Sequence, residues 1–245
     1  MPSLKKIQIT LAAFLLAVVL AGCSGPGVYH KVGKGETLWR ISKTYGVDIQ
    51  DVAELNNIKH LTEIKTGRLL YIPGVSRLKK VNVYVPPKSK GAPVENALKE
   101  GDSVQPIDAA GELEGSIAVQ NNRFIWPVDG KVISSFGMRN GTKHGGIDIK
   151  APEGVPIKAA ESGTVAYLDS DMRGYGKIVI LKHEDEYFTV YAHNKENFVQ
   201  MGDKVEKGQL IATVGATGNA TTSHLHFEVR HGKTVRNPLF FLPSN

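Results

Sequence analysis

The residues here with the clearest capacity for chemistry are histidines and one aspartate. Of eight histidines in the 245-residue chain, six lie from position 144 onward. In His224-Leu225-His226-Phe227-Glu228-Val229-Arg230, polar and apolar residues alternate. A strand repeats its side-chain direction every second residue, so this stretch would set His224, His226, Glu228 and Arg230 on one face and pack Leu225, Phe227 and Val229 into a core. Two imidazoles then project side by side. Tyr187 to His193 reads the same way, with Phe188, Val190 and Ala192 on one face and Tyr187, Thr189, Tyr191 and His193 on the other. In His144-Gly145-Gly146-Ile147-Asp148-Ile149 the glycines let the backbone turn closely, and a carboxylate in an apolar strand is costly unless something pairs with it. A metal ion is the economical partner.

Strands must hold these residues, and from Phe124 onward the sequence supplies them. Val132 to Phe136, Gly163 to Leu168, Lys177 to His183, Tyr187 to His193 and Gln209 to Val214 are strand-like. Glu153-Gly154, Arg173-Gly174, Glu184-Asp185 and Gly202-Asp203 mark turns between them. With no amphipathic helix of comparable strength, residues 123–245 are expected to form a mainly antiparallel all-β domain. His183 and His231 fall outside the patterned positions and read as surface histidines. Glu228 has two readings, a partner for a metal-holding imidazole or a carboxylate on an exposed strand face.

Residues 28–73 read differently, as a small α+β unit of strand, helix, helix and strand. Val28 to Val32 is extended and ends at Gly33 and Gly35. Thr37 can cap a helix carrying Leu38, Ile41 and Tyr45 at helical spacing, stopped by Gly46. Asp48 can cap a second helix with Ile49, Val52 and Leu55 on one stripe, broken by Asn56-Asn57. Leu69 to Ile72 returns as a strand before Pro73-Gly74. Trp39 and Tyr45, at helical spacing, read as core packing.

Residues 74–122 hold no sustained period and are rich in Gly, Pro, Ser and Ala, as a flexible linker is. Its early half is basic, through Arg77, Lys79, Lys80, Lys88 and Lys90, and Glu95 to Glu114 is mostly acidic. Val81-Asn82-Val83-Tyr84-Val85 alternates as a strand would, until Pro86-Pro87 ends it. Such a charge-segregated tether could touch an anionic polymer, or serve only as a solvated spacer.

At the N-terminus, Lys5 and Lys6 precede an apolar run from Leu11 to Ala21, too short to span a bilayer and suited to an export signal. The net charge of +6 would suit an anionic partner. It is dispersed, however: residues 28–72 carry 7 basic against 5 acidic groups and residues 123–245 carry 15 against 13. No segment forms the concentrated basic footprint of a nucleic-acid binder. The single cysteine excludes an intramolecular disulfide framework.

Four resemblances follow from these residues. Leu20-Ala21-Gly22-Cys23 resembles the lipobox of bacterial lipoproteins, which implies removal of residues 1–22 and a membrane anchor of lipid on Cys23, with 23–27 as the lipidated N-terminus. Ser24 after the cysteine resembles an outer-membrane sorting signal, facing the periplasm if the cell has two membranes. The wording G-K-G-E-T-L-W-R-I-S-K-T-Y-G-V, then L-N-N-I and G-R-L-L-Y-I-P-G, resembles a LysM domain over 28–73, which implies binding to peptidoglycan glycan beside Gly35 to Leu38 and Asn57 to Leu61. H-G-G-I-D, Y-A-H and H-L-H, in that order, resemble the lysostaphin/LytM-type zinc metallopeptidases that cut peptidoglycan peptides.

That last resemblance implies Zn²⁺ held by His144, Asp148 and His226, with His193 and His224 beside the metal as catalytic residues. Two imidazoles and a carboxylate leave a fourth position open, as catalytic zinc sites do. Which of His193 and His224 is the general base stays open. Arg139 stands where family members usually carry Arg before the metal histidine, to orient substrate carboxylates or to brace the loop. The chain departs from many relatives at Thr222-Ser223, where they have Pro before H-x-H. The expected function is therefore a wall-bound zinc metalloendopeptidase. The alternative is a regulator: lipoproteins of this architecture that have lost zinc ligands activate cell-wall amidases at the division site. Retention of all three ligand positions favours the enzyme.

Overall fold

Thr37 and Asp48 start the two helices of the N-terminal module by accepting hydrogen bonds from the first-turn amides. The computed structural model describes residues 27–83, 115–139 and 141–244, and the chain divides into two units between Ala118 and Val119. Thr37 Oγ1 accepts from Arg40 N at 3.3 Å at the start of α1 (Leu38–Tyr45), and Asp48 Oδ1 from Gln50 N at 2.7 Å before α2 (Ile49–Leu55). Gly46, at φ 71°, ends α1 with its N–H donating to Ser42 O. β1 (Val28–Lys31) and β2 (Leu69–Ile72) pair antiparallel. Leu38, Ile41, Val52, Ile58, Leu70 and Ile72 are buried between helices and ribbon. Each such side chain contributes about 1.5–3 kcal/mol of hydrophobic stabilisation, which a module this small needs.

Tyr45 belongs to that core, but Trp39 is only half-buried, with the Lys43 ammonium 4.4 Å from its ring centroid. The expectation of core packing thus fails for Trp39. Nor do residues 81–83 form a strand. Val81 is buried, and Lys79 N donates to Tyr45 Oη at 3.0 Å, so the chain after β2 is spent on packing rather than pairing. The expected signal segment 1–22, Cys23 and linker residues 84–114 lie outside the described residues.

The second unit is antiparallel β structure, as its alternation and glycine turns imply. Its main sheet runs in the order β11 (Lys204–Val205), β8 (Gly163–Met172), β9 (Gly176–Lys182), β10 (Tyr187–Asn197), β13 (His224–His231), β6 (Ile147–Lys150), β3 (Lys131–Ser134). β12 (Leu210–Val214) joins β10 to β7 (Pro156–Lys158), and β14 (Thr234–Arg236) flanks β13. A separate hairpin pairs β4 (Gly137–Arg139) with β5 (Thr142–His144). Five of these strands, β4, β5, β7, β11 and β14, are too short to display alternation in sequence. β10 runs past its expected end because Asn194 to Asn197 pair with β12, although they carry no apolar period.

Leu225, Phe227, Ile147, Ile149 and Tyr191 fill one face of the sheet, with Tyr191 and Phe227 rings 5.5 Å apart. On the other face Met172, Ile178, Ile180, Val190 and Ala192 form an apolar cluster. His183 is a correction: it is buried rather than superficial. Its Nδ1 lies 2.8 Å from Ser162 O, and its Nε2 begins a chain through Thr189 Oγ1 to Tyr191 Oη with steps of 2.7 and 2.9 Å. His231 is exposed and stacks on Tyr187.

Candidate metal centre

Strand pairing brings residues far apart in sequence into one site. β13 pairs with β6 so that His226 stands opposite Asp148, and directly paired residues project to the same face. His224, two residues before His226, shares that face. His144 ends β5 and reaches the site over the Gly145-Gly146 turn. A Cβ on Gly146 would lie 2.3 Å from Phe227 O and 2.9 Å from Glu228 Cγ, so only glycine lets this turn pass so close to β13.

Three donor atoms converge there. Asp148 Oδ1 lies 2.8 Å from His226 Nδ1 and 3.1 Å from His144 Nε2, and the two nitrogens are 3.2 Å apart. Ligand bonds of about 2.0–2.2 Å in a tetrahedron separate donors by about 3.3–3.6 Å, so a small outward shift of these side chains would admit zinc. The remaining ring nitrogens confirm the aim. His144 Nδ1 lies 2.9 Å from Ser135 O, and His226 Nε2 lies 3.0 Å from Glu228 Oε1. Both partners can only accept, so those nitrogens carry the hydrogen and the opposite lone pairs point inward. These residues fit a metal ion.

Two further histidines obey the same rule. His224 Nδ1 donates to Thr222 O at 2.8 Å and His193 Nδ1 to Thr217 O at 2.8 Å, leaving each Nε2 as the acceptor. Their ring centroids are 4.8 Å apart. His193 reaches the site against expectation. Strict alternation puts it with Tyr191, whose partner is Phe227 on the opposite face. A bulge between Tyr191 and Asn194, with His193 at φ 64°, turns its side chain onto the face of His226. Thr217 pins the bulge: its Oγ1 accepts from Lys177 N and donates to Asn194 O, each at 3.0 Å.

Burial and charge divide the histidines chemically. Burial lowers the His193 pKa to about 4, which keeps it neutral and able to accept a proton at pH 7. For His226 burial pushes the same way, but the hydrogen bonds it donates to Asp148 and Glu228 outweigh it and hold the metal-free imidazole at about 9. Asp148 is held below the usual carboxylate range, because bonds to His144 and His226 overcome its burial.

Glu228 resolves as the buried alternative, 1% exposed beneath His226. Despite that burial, Arg230 and His226 lower its pKa to about 2. Tyr175, in the β8–β9 turn, donates to Glu228 Oε1 at 2.9 Å. Sequence reasoning missed Tyr175 because a tyrosine between two glycines of a turn has no period to betray it. Thr217 carried no signal either.

These groups line a cleft of about 400 Å³. Arg139 stands at its wall, about half exposed, with Nη1 contacting Ser134 Oγ and lying 3.8 Å from Asp148 Oδ2. Lys143 also lines the cleft. His144, Asp148, His226, His193, His224 and Arg139 are thus gathered at one cleft, whereas Cys23 lies outside the described residues. Among the described residues, His144, Asp148 and His226 form the one cluster of this kind able to hold a metal.

Comparison with known proteins agrees with this architecture. Residues 142–238 match the Peptidase family M23 model and residues 30–73 the LysM domain model. The chain is 34% identical to the uncharacterized lipoprotein YgeR of Escherichia coli K12, covering 93% of this chain and 90% of that one. It is 31% identical to the murein hydrolase activator NlpD of the same organism, over 89% of this chain and 68% of that one. A zinc containing peptidase from Vibrio cholerae aligns at 29% identity with a TM-score of 0.45, over 54% of this chain and 42% of that one. With two characteristic domains in one order and relatives matched over most of their length, the chain belongs to peptidase family M23, with a LysM domain ahead of its peptidase domain.

Proposed function

We propose that this protein is an exported, lipid-anchored zinc metalloendopeptidase that hydrolyses stem or cross-link peptides of peptidoglycan. The observation that carries the reading is the convergence of His144 Nε2, Asp148 Oδ1 and His226 Nδ1 within 3.2 Å of one another. Bound there, Zn²⁺ would supply Lewis acidity toward water and a peptide carbonyl.

The chain's own residues do the rest. His193 and His224 turn their Nε2 atoms toward the cleft, where one takes a proton from water and that proton is then passed to the leaving amine. His193, kept neutral by burial, suits the first task. Protonated, either imidazole also opposes the negative charge that grows on a carbonyl oxygen under attack. Arg139 offers a guanidinium to a substrate carboxylate at the cleft wall. The LysM module would hold glycan, keeping peptide near the cleft. A lipid on Cys23 would tether the chain to a membrane, the outer one in a two-membrane cell.

A second reading is regulatory, because a relative at 31% identity is named a murein hydrolase activator. On that reading the cleft face would engage an amidase at the division site. The complete donor set favours catalysis. Purified chain from Ser24 onward, given zinc or chelator and cross-linked peptidoglycan, separates the two. Zinc-dependent release of cut peptides is expected; bound zinc without any cut bond would hand the function to the regulatory reading. Sedimentation with insoluble peptidoglycan tests the LysM role, and binding unchanged by loss of residues 28–73 would remove it.

A further inference from the structure

The buried carboxylate under His226 has every acceptor position engaged. Glu228 Oε1 accepts from Tyr175 Oη at 2.9 Å and faces His226 Nε2 at 3.0 Å. Glu228 Oε2 accepts from Arg230 Nε at 2.7 Å and Nη2 at 2.6 Å. Held from both sides, the carboxylate cannot rotate away from the imidazole. Because it only accepts, it keeps a hydrogen on His226 Nε2 and leaves Nδ1, toward Asp148 and His144, as the nitrogen that gives up its proton to a metal.

Tyr175 adds something a simple ion pair would not need. Its ring meets His226 edge-on, centroids 5.7 Å apart, which limits rotation of the imidazole. Its backbone carbonyl accepts from His193 N at 2.9 Å, at the bulge that turns His193 into the cleft. Its own turn is fixed by Tyr175 N to Met172 O and by Asn219 N to Gly174 O. One residue therefore touches the support of a metal donor and the backbone of a proton-transfer candidate.

We infer that Glu228 and Tyr175 are positioning residues that lock His226 in its Nδ1-donating orientation, with Tyr175 tying that brace to the His193 bulge. The inference rests on the zinc reading proposed above and extends it to two residues that touch no metal. Removing such outer partners from a metal-held histidine typically weakens metal binding about 10–100-fold.

The test is zinc affinity, measured by chelator competition on wild type, Glu228→Gln and Tyr175→Phe, alongside nitrogen NMR of the His226 ring in the zinc-loaded proteins and thermal unfolding. Glu228→Gln is expected to weaken zinc about 10–100-fold. Tyr175→Phe should weaken it about two- to tenfold, the worth of one hydrogen bond. His226 should report the Nε2-protonated form in the zinc-loaded wild type. Both variants binding zinc within twofold of wild type, with His226 unchanged, would overturn the inference and leave the zinc reading standing. A wild type that takes up no zinc would overturn that reading and this inference together. Should Glu228→Gln unfold because the ion pair with Arg230 is lost, Tyr175→Phe carries the test alone, since it deletes one oxygen and removes no charge.

Discussion

His193 faces His226 with ring centroids 5.9 Å apart, although the residue opposite His226 in the strand ladder is Ala192. A regular β10 would have put the His193 side chain on the far side of the sheet. Replacing His193 or His224 with Ala should lower kcat about 10²–10⁴-fold while zinc content stays at the wild-type level. Metal analysis beside peptide-release kinetics checks this. Loss of zinc in either variant would make that histidine a metal-holding residue instead.

For His144, Asp148 and His226 the expected outcome is the reverse. Substituting any of them with Ala should abolish both zinc retention after dialysis and peptidase activity. An Asp148→Ala variant that kept zinc would remove the carboxylate from the donor set.

Proton competition gives a pH signature. Metal-free His226 titrates at about 9, above its ordinary 6.5, so zinc must displace a proton at neutral pH. Apparent affinity should rise by about tenfold per pH unit as pH approaches 9. In chelated protein the raised His226 pKa contributes stability that is complete below 6.5 and lost as pH rises through about 9. Glu228, depressed from 4.5 to about 2, contributes stability present above 4.5 and lost as pH falls toward 2. His193, depressed from 6.5 to about 4, also costs stability as pH falls below 6.5, so thermal unfolding with chelator should peak near 6.5, and added zinc should flatten the alkaline fall.

Gly146→Ala places a methyl carbon 2.3 Å from a backbone oxygen of β13. Either strand must yield, at a cost of about 1–3 kcal/mol or more. A drop in melting temperature with weakened zinc binding is expected. The corresponding change at Gly154, where an added Cβ meets nothing within 4 Å, should leave zinc affinity intact.

How much of this was legible in the sequence depended on which residues carry period. Alternation in His224 to Arg230 put His224, His226 and Glu228 on one face, as observed. The helix caps at Thr37 and Asp48 and the glycine stop at Gly46 were equally plain, because each uses local chemistry. What stayed hidden was non-local or aperiodic. The bulge at His193 breaks the very rule by which its strand was read. Tyr175 and Thr217 act through hydroxyls and carbonyls placed by loops, and the His183 ring packs against Phe124, distant in sequence. A two- or three-residue strand such as β11 exists only because a neighbour pairs with it.

The pairing of β6 with β13 has a temporal consequence. Asp148 and His226 are 78 residues apart, and β8, β9 and β10 lie between them in the chain. A polypeptide still emerging, or clipped before its final strands, holds an aspartate and His144 with no third donor. On the function proposed above, hydrolytic capacity would arrive only with the last stretch of the chain.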